Sequence, residues 1–470
     1  MRPLLSLCLL LLPGSAGVAG PPLAGVEAQP VAAAREIFAE LVRINTTDSV
    51  GDNTAAARAM ETRLLAAGFA RADVAVLGQE RNPRKGNLVA RLRGRGDARP
   101  LLLLAHLDVV EVEKGQWTVP PFELTEQGGF YYGRGTSDDK HMAAIFIANL
   151  IRYKREGFVP RRDIIVALTA DEEWGDYNGV RWLLEQHRPL IDAEFALNEG
   201  GGGQIRGGRY RVNEVQLSEK NYASFRIEAK SPGGHSSRPG PENAIYRLAK
   251  ALARLGDYRF PVNVGPVTRS YFERMASVES GQVAFDMRAV AGAQADPAAA
   301  RRLSQNRLFN ALLRTTCVAT LLKAGTAENA LPESATAVVN CRILPHETLE
   351  QTRAALIQVI GDSAITVEVI GAPIAGPAAH VNPVILRAVE AVTIQMWPGV
   401  VVVPVMSTGA TDGLFLRNAG LPVYGVSGVF QDIDDNRAHA RDERIPTKSF
   451  DEGLEFLYRL VKSLADSPAA

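Results

Sequence analysis

Residues 101–108 read Leu-Leu-Leu-Leu-Ala-His-Leu-Asp. An unbroken apolar run of that length is a strand buried on both faces, because successive side chains point to opposite sides of a sheet. The run ends in His106 and Asp108, two groups able to bind metal or handle protons. They sit just past the strand's carboxyl end, where open α/β sheets collect their ligands.

Working outward, the same pattern recurs. Apolar runs of strand length fall at 87–92, 164–168 and 195–197. Helical patterns separate them, at 141–153 and 180–187, and two helices joined at Asn45–Asp48 precede them over 31–69. Strands alternating with helices predict an α/β domain with a mostly parallel, mixed sheet covered by helices. Glu172 and Glu173 follow the 164–168 run, and Glu199 follows the 195–197 run. The parallel arrangement would therefore bring them to one edge with His106.

Near residue 215 the texture changes. Phe225, Ile227 and Ala229 alternate with Arg226 and Glu228, and Ala335, Ala337, Val339, Cys341 and Ile343 alternate likewise. Period-two alternation predicts half-exposed strands and an inserted α+β domain with an antiparallel sheet. Helices are expected at 242–255 and 301–314, a return to α/β texture near 349, and a final amphipathic helix at 449–464. The predicted divisions are a signal segment at 1–19, a catalytic domain in two parts, 29–215 and 347–470, and the insert at 216–346.

The chain of 470 residues is 46% hydrophobic, with 52 basic and 52 acidic side chains. That balance gives no electrostatic footprint for nucleic acid, so no such partner is expected. Arg2, the apolar run 4–12 and small residues to Gly20 read as a secretory signal cut after Ala19. The run is shorter than the roughly 20 residues that cross a bilayer, so secretion or a periplasmic location is expected, without stable membrane insertion. Beyond the signal only Cys317 and Cys341 remain. They are able to pair in an oxidising compartment, or Cys341 is simply a core residue.

Five residues combine into a metal-binding set: His106, Asp138, Glu173, Glu199 and His439. Each alone reads as a cap, a loop acid or a structural histidine. Together, two imidazoles and three carboxylates suit a pair of divalent ions, zinc first, with cobalt or manganese as substitutes. Three carboxylates in one cleft are costly unless compensated. Two divalent cations and one hydroxide cancel their charge. Glu172 is left over as general base, and Asp108 is placed to accept a hydrogen bond from the ring of His106.

These motifs in this order resemble the co-catalytic zinc hydrolase family that contains aminoacylase, glutamate carboxypeptidase and carboxypeptidase S. The matching stretches are His-Leu-Asp at 106–108, Gly-Arg-Gly-Thr-Ser-Asp-Asp-Lys at 133–140, Asp-Glu-Glu at 171–173, Asn-Glu-Gly at 198–200, Ser-Pro-Gly-Gly-His at 231–235 and Ala-His-Ala-Arg-Asp-Glu-Arg-Ile at 438–445. The branch with carboxypeptidase S and secreted N-acyl-amino-acid hydrolases looks nearest. The resemblance implies a zinc-peptidase fold, two zinc ions bridged by Asp138, and a cis peptide at Asp138–Asp139. It implies that His106 and Glu199 complete one metal site, and Glu173 and His439 the other. It also implies that the insert is a lid, sometimes a dimerisation domain. His235 would then polarise the scissile carbonyl, Asn329 and Arg342 would bind a substrate carboxylate or oxyanion, and Gly409 would lie in a loop near the metals. The expected reaction is hydrolysis of peptides or N-acyl amino acids beside a free C-terminal carboxylate. An aminopeptidase or dipeptidase on the same fold is the alternative. His141, just after Asp-Asp-Lys, reads as a surface residue at a helix start.

Overall fold

The computed structural model describes residues 28–377 and 382–468. The expected signal at 1–19 lies outside them. Among the described residues no helix is long and apolar enough to cross a membrane.

The Ala98–His106 strand lies in a ten-stranded mixed sheet. Its neighbours are the Arg162–Thr169 and Phe195–Asn198 strands, both parallel to it, and Val423–Gly425 pairs parallel with Phe195–Asn198. The sequence pattern explains this position directly. Leu101, Leu103 and Ala105 pack into the larger core with Ile164, Val166 and Leu168. Leu102 and Leu104 pack on the opposite face with Ile165, Ala167, Val180 and Leu183. On the first face lie Ala28–Arg43, Lys140–Arg155 and Thr447–Asp466, while Gly179–Gln186 and Gly413–Asn418 cover the second. A strand covered on both sides has no polar row, so its sequence is a continuous apolar run.

A separate antiparallel sheet forms the insert, in the order Thr316–Ala324, Ser334–Ile343, Asn221–Lys230, Ile365–Ile370. Phe225, Ile227, Val339 and Cys341 point to one face and pack with Leu248 and Ala251 of the Ala244–Asp257 helix. Cys317 stands opposite Cys341 in register and the two form a disulfide.

Three features differ from the sequence expectation. The insert's sheet and core continue past residue 346, since Ile365–Ile370 pairs with Asn221–Lys230 and Leu356 and Ile360 pack beneath. Within the insert, Val267, Phe272, Met275, Met287 and Leu313 join the core of the larger domain instead. The helix expected at 301–314 is two, Pro297–Leu303 and Arg307–Leu313, the second started by the Asn306 side chain accepting from the Phe309 amide.

Candidate metal centre

At one edge of the large sheet, three parallel strands end together. His106 ends its strand opposite Thr169, Glu172 and Glu173 follow in the next turn, and Glu199 comes directly after Asn198. The loop before Lys140–Arg155 supplies Asp138, whose peptide bond to Asp139 is cis. His439 arrives from a distant loop with a positive φ of 64°.

Asp138 lies between the two imidazoles. Its Oδ1 is 2.9 Å from His106 Nε2 and its Oδ2 is 3.1 Å from His439 Nε2. His439 Nε2 is also 2.9 Å from Glu173 Oε1. Ligand atoms of His106, Asp138 and Glu173 fall within 4.8 Å of one another, as do those of His106, Glu172 and Glu199. The sheet edge thus gathers all five expected ligands together with Glu172. Distance alone would equally let Glu172 bind metal.

The electrostatics favour cations. Hydrogen bonds to Asp138 and Glu173 push His439 up to about 10. Burial pushes the Glu199 carboxyl well up, and the negative field of Asp138 adds to it. Glu172 moves the same way, by desolvation first and then by Asp412, Asp108 and Glu173. The cleft is short of positive charge, and this oxygen and nitrogen donor set fits two divalent ions.

Asp108 is fully buried, and it holds more than the histidine. Its carboxylate accepts the amides of Glu172 at 3.1 Å and Glu173 at 2.9 Å. The nearest acceptor for His106 Nδ1 is the Asp108 carbonyl oxygen at 3.0 Å, with the carboxylate at 3.6 Å. The expected ring-to-carboxylate bond is therefore mainly a ring-to-backbone one, because the carboxylate is already committed to the turn.

Among the described residues, the remaining expected site residues make no hydrogen bond or ion pair to this cluster. His235 is exposed on a two-residue strand paired with Ala330–Leu331, and the Asn329 carbonyl accepts the Ser236 amide beside it. The Ser237 amide and hydroxyl sit on His235 Nδ1, at 3.2 and 2.8 Å. An amide donor there leaves the ring proton on Nε2. Arg342 lies on the polar face of the insert's sheet, 4.8 Å over the Tyr222 ring, with no carboxylate partner among the described residues. A Cβ built on Gly409 would meet only Ser407 Oγ, at 3.5 Å, so protein packing does not require glycine there. By contrast, a Cβ on Gly201 would lie 2.2 Å from the Gly425 carbonyl oxygen, a packing reason for the glycines after Glu199. His141 is buried, not on the surface, and burial lowers it to about 4.

Sequence reasoning passed over four residues that hold the cluster in shape. Glu443 is fully buried and accepts from the Ser137 amide at 2.6 Å, the Asp138 amide at 3.1 Å and the Gly135 amide at 3.1 Å. Arg134 pairs with it at 2.6 Å and reaches the His439 carbonyl at 3.4 Å. Lys85, also buried, bonds Asp48 and Asp171, and Asp171 has a φ of 65° immediately before the two glutamates. Arg134, Asp171 and Glu443 stood within the motifs already quoted, and their spacing from the ligands was the signal.

Comparison with known proteins follows the same line. Peptidase family M20/M25/M40 matches residues 102–463. The human N-fatty-acyl-amino acid synthase/hydrolase PM20D1 is 28% identical over 374 residues, covering 77% of this chain and 74% of that protein. Probable carboxypeptidase S-like 2 of Dictyostelium discoideum is 28% identical over 374 residues, covering 78% and 72%. Among solved structures, the M20 family metallo-carboxypeptidase from Sulfolobus solfataricus superposes with a TM-score of 0.66 at 18% identity, covering 91% of this chain and 98% of that one. A dinuclear metal-binding peptidase of the M20 family from Bacillus subtilis gives 0.62 at 12% identity, covering 94% and 99%. This chain belongs to peptidase family M20/M25/M40 and is an enzyme of its metallopeptidase and amidohydrolase class.

Proposed function

We propose that this protein is a secreted two-zinc hydrolase that cuts the amide bond of an N-acyl amino acid or peptide beside a free C-terminal carboxylate. The observation that carries the reading is Asp138, with one carboxylate oxygen toward each imidazole. His106, Glu199 and Asp138 would hold one metal, and Glu173, His439 and Asp138 the other. When bound, such a pair polarises a carbonyl and lowers the pKa of water. The ligand types favour zinc and also accept cobalt or manganese.

The protein's own residues then divide the work. Glu172 takes a proton from the attacking water as its oxygen adds to the carbonyl carbon. It returns that proton to the nitrogen as the C–N bond breaks. Desolvation holds its carboxyl well above the ordinary value, the direction a general base needs. Asp108 fixes the backbone of Glu172 and Glu173, an arrangement in which Glu173 would hold metal and Glu172 would serve the attacking water. His235, with its proton on Nε2, is suited to donate to the developing oxyanion when the lid approaches. Arg342 is suited to take the substrate carboxylate, with Asn329 beside His235 at the other end of the lid sheet and the open face of Gly409 leaving room for substrate. The names of the human and Dictyostelium relatives support the substrate class. The disulfide supports an oxidising compartment.

The test is a hydrolysis panel on zinc-loaded protein, pairing dipeptides, longer peptides and N-acyl amino acids with free and amidated C-termini. Turnover confined to free carboxylates and abolished in Glu172→Gln supports the reading. Turnover of amidated substrates that needs a free N-terminal amine would replace it with an aminopeptidase or dipeptidase.

A further inference from the structure

A groove of about 1320 Å³ lies away from the metal centre, at the seam between the lid and the helices that pack on the larger domain. Its walls are the end of the Ala244–Asp257 helix, the turn through Phe260 and Val262, helices Pro297–Leu303 and Arg307–Leu313, and the start of the Thr316–Ala324 strand. The lining is mostly apolar, with Leu252, Phe260 and Val318 among it. Val318 is 60% exposed, so a branched apolar side chain faces this space without cover.

The charge along the groove is one-sided. Arg259, Arg301, Arg307 and Arg314 line it and no Asp or Glu does, in a chain whose acids and bases are equal in number. None of the four forms an ion pair among the described residues, although neighbouring Arg302 does, with Asp286. Arg314 donates to the Phe260 carbonyl at 3.0 Å and the Ser304 hydroxyl at 2.8 Å, and its Nε is buried without a partner. Burial, with Arg259 nearby, also disfavours its charge. Uncompensated guanidinium groups beside apolar surface favour a ligand with an anionic head. Uncovered apolar walls favour a hydrocarbon body.

We propose that this groove is a binding site for a single-chain anionic amphiphile, a long-chain carboxylate, separate from the metal centre. The alkyl chain covers the apolar wall and the carboxylate meets the arginines. The proposal stands apart from the hydrolytic reading, because none of these residues belongs to the metal cluster.

The probe is dodecanoate carrying a photoreactive diazirine, applied to the full-length zinc-loaded protein, with labelled peptides mapped by mass spectrometry. Calorimetry runs alongside with plain dodecanoate, dodecyltrimethylammonium and acetate. The expected result is label on peptides from 252–262 and 294–319, saturable binding of dodecanoate, and none of the cation or acetate. The double variant Arg301→Glu, Arg307→Glu changes two exposed positions. It should weaken dodecanoate binding at least tenfold while leaving hydrolysis of a small substrate and the melting temperature unchanged. Label confined to the metal cleft, or equal binding of the cation, would overturn the proposal. So would label unaffected by the charge reversal, or a stable dimer in sedimentation whose formation excludes the label.

Discussion

Arg134 and Glu443 form a buried ion pair at 2.6 Å, between the loop that carries Asp138 and the loop that carries His439. Glu443 also takes the amides of Ser137 and Asp138, and Arg134 reaches the His439 carbonyl. The groups proposed to hold metal are therefore positioned by a pair that lies behind them. Glu443→Gln should lower zinc affinity about 10–100-fold, in line with other losses behind a ligand. It should also lower the melting temperature, because Arg134 is left buried without its counter-charge. Equilibrium dialysis against a zinc buffer, followed by a thermal scan, measures both. Unchanged affinity would remove Glu443 from this role.

Asp108 gives a different signature. Its carboxylate accepts two amides in the turn that aims Glu172 and Glu173. Asp108→Asn keeps the size but turns one acceptor into a donor facing an N–H. We expect kcat/KM to fall about 100-fold or more, the scale of an ångström-sized misplacement. Zinc content should fall less than in a His106 variant. Metal analysis of the purified variant separates the two effects.

Metal entry should release protons. Hydrogen bonds to Asp138 and Glu173 raise His439 to about 10 without metal, so its imidazole is protonated at neutral pH. A metal must displace that proton. Zinc titration of the chelator-treated protein in buffers of different ionisation enthalpy should show at least about one proton released per chain at pH 7. Chelation should also lower the melting temperature, since ions bound only to the folded state stabilise it by mass action. No proton release would speak against His439 as a ligand.

Lys220 predicts a pH dependence of stability. It is 1% exposed, donates to the Ala311 and Arg314 carbonyls and to Thr316, and burial lowers it to about 7, with Glu347 opposing and Arg342 adding to the shift. Between about 7 and the ordinary 10.5 the unfolded chain holds this proton and the folded chain does not. Stability contributed by this site therefore rises with pH across that window, by at most about 1.4 kcal/mol per pH unit, and is flat below it. Urea unfolding of wild type and Lys220→Met at pH 6, 8 and 10 should show wild type gaining on the variant as pH rises. A constant difference would place the Lys220 titration outside that range.

The catalytic half of the fold was legible because its strands are buried on both faces and leave unbroken apolar runs, as at Leu101–Ala105. Polar residues at the ends of such runs must emerge at a common edge, so His106, Glu172, Glu173 and Glu199 could be grouped from sequence. Asp138 and His439 had only their motifs to place them. Glu443 stayed hidden because its meaning lies in amides about 300 residues earlier in the chain. The stretch through Phe272 and Met287 fell within the insert by position alone and its helices were not expected; even an amphipathic stripe does not say which core it faces. Ile365–Ile370 lies past the expected boundary at 346 and pairs back with Asn221–Lys230, a partner that local sequence does not name.

The path of the chain through the two cores bears on how such enzymes can be recombined. It enters the smaller sheet at Asn221, leaves it for helices on the larger core, returns at Thr316 and departs after Ile370. The insert is thus woven into its host and is not a cassette. A chimera cut at residues 216 and 346 would strand the Ile365–Ile370 edge of the smaller sheet and carry off helices that seal the larger one. A transplant that respects both cores has to exchange two segments, roughly 220–260 and 315–371, and keep the host's own helices between them.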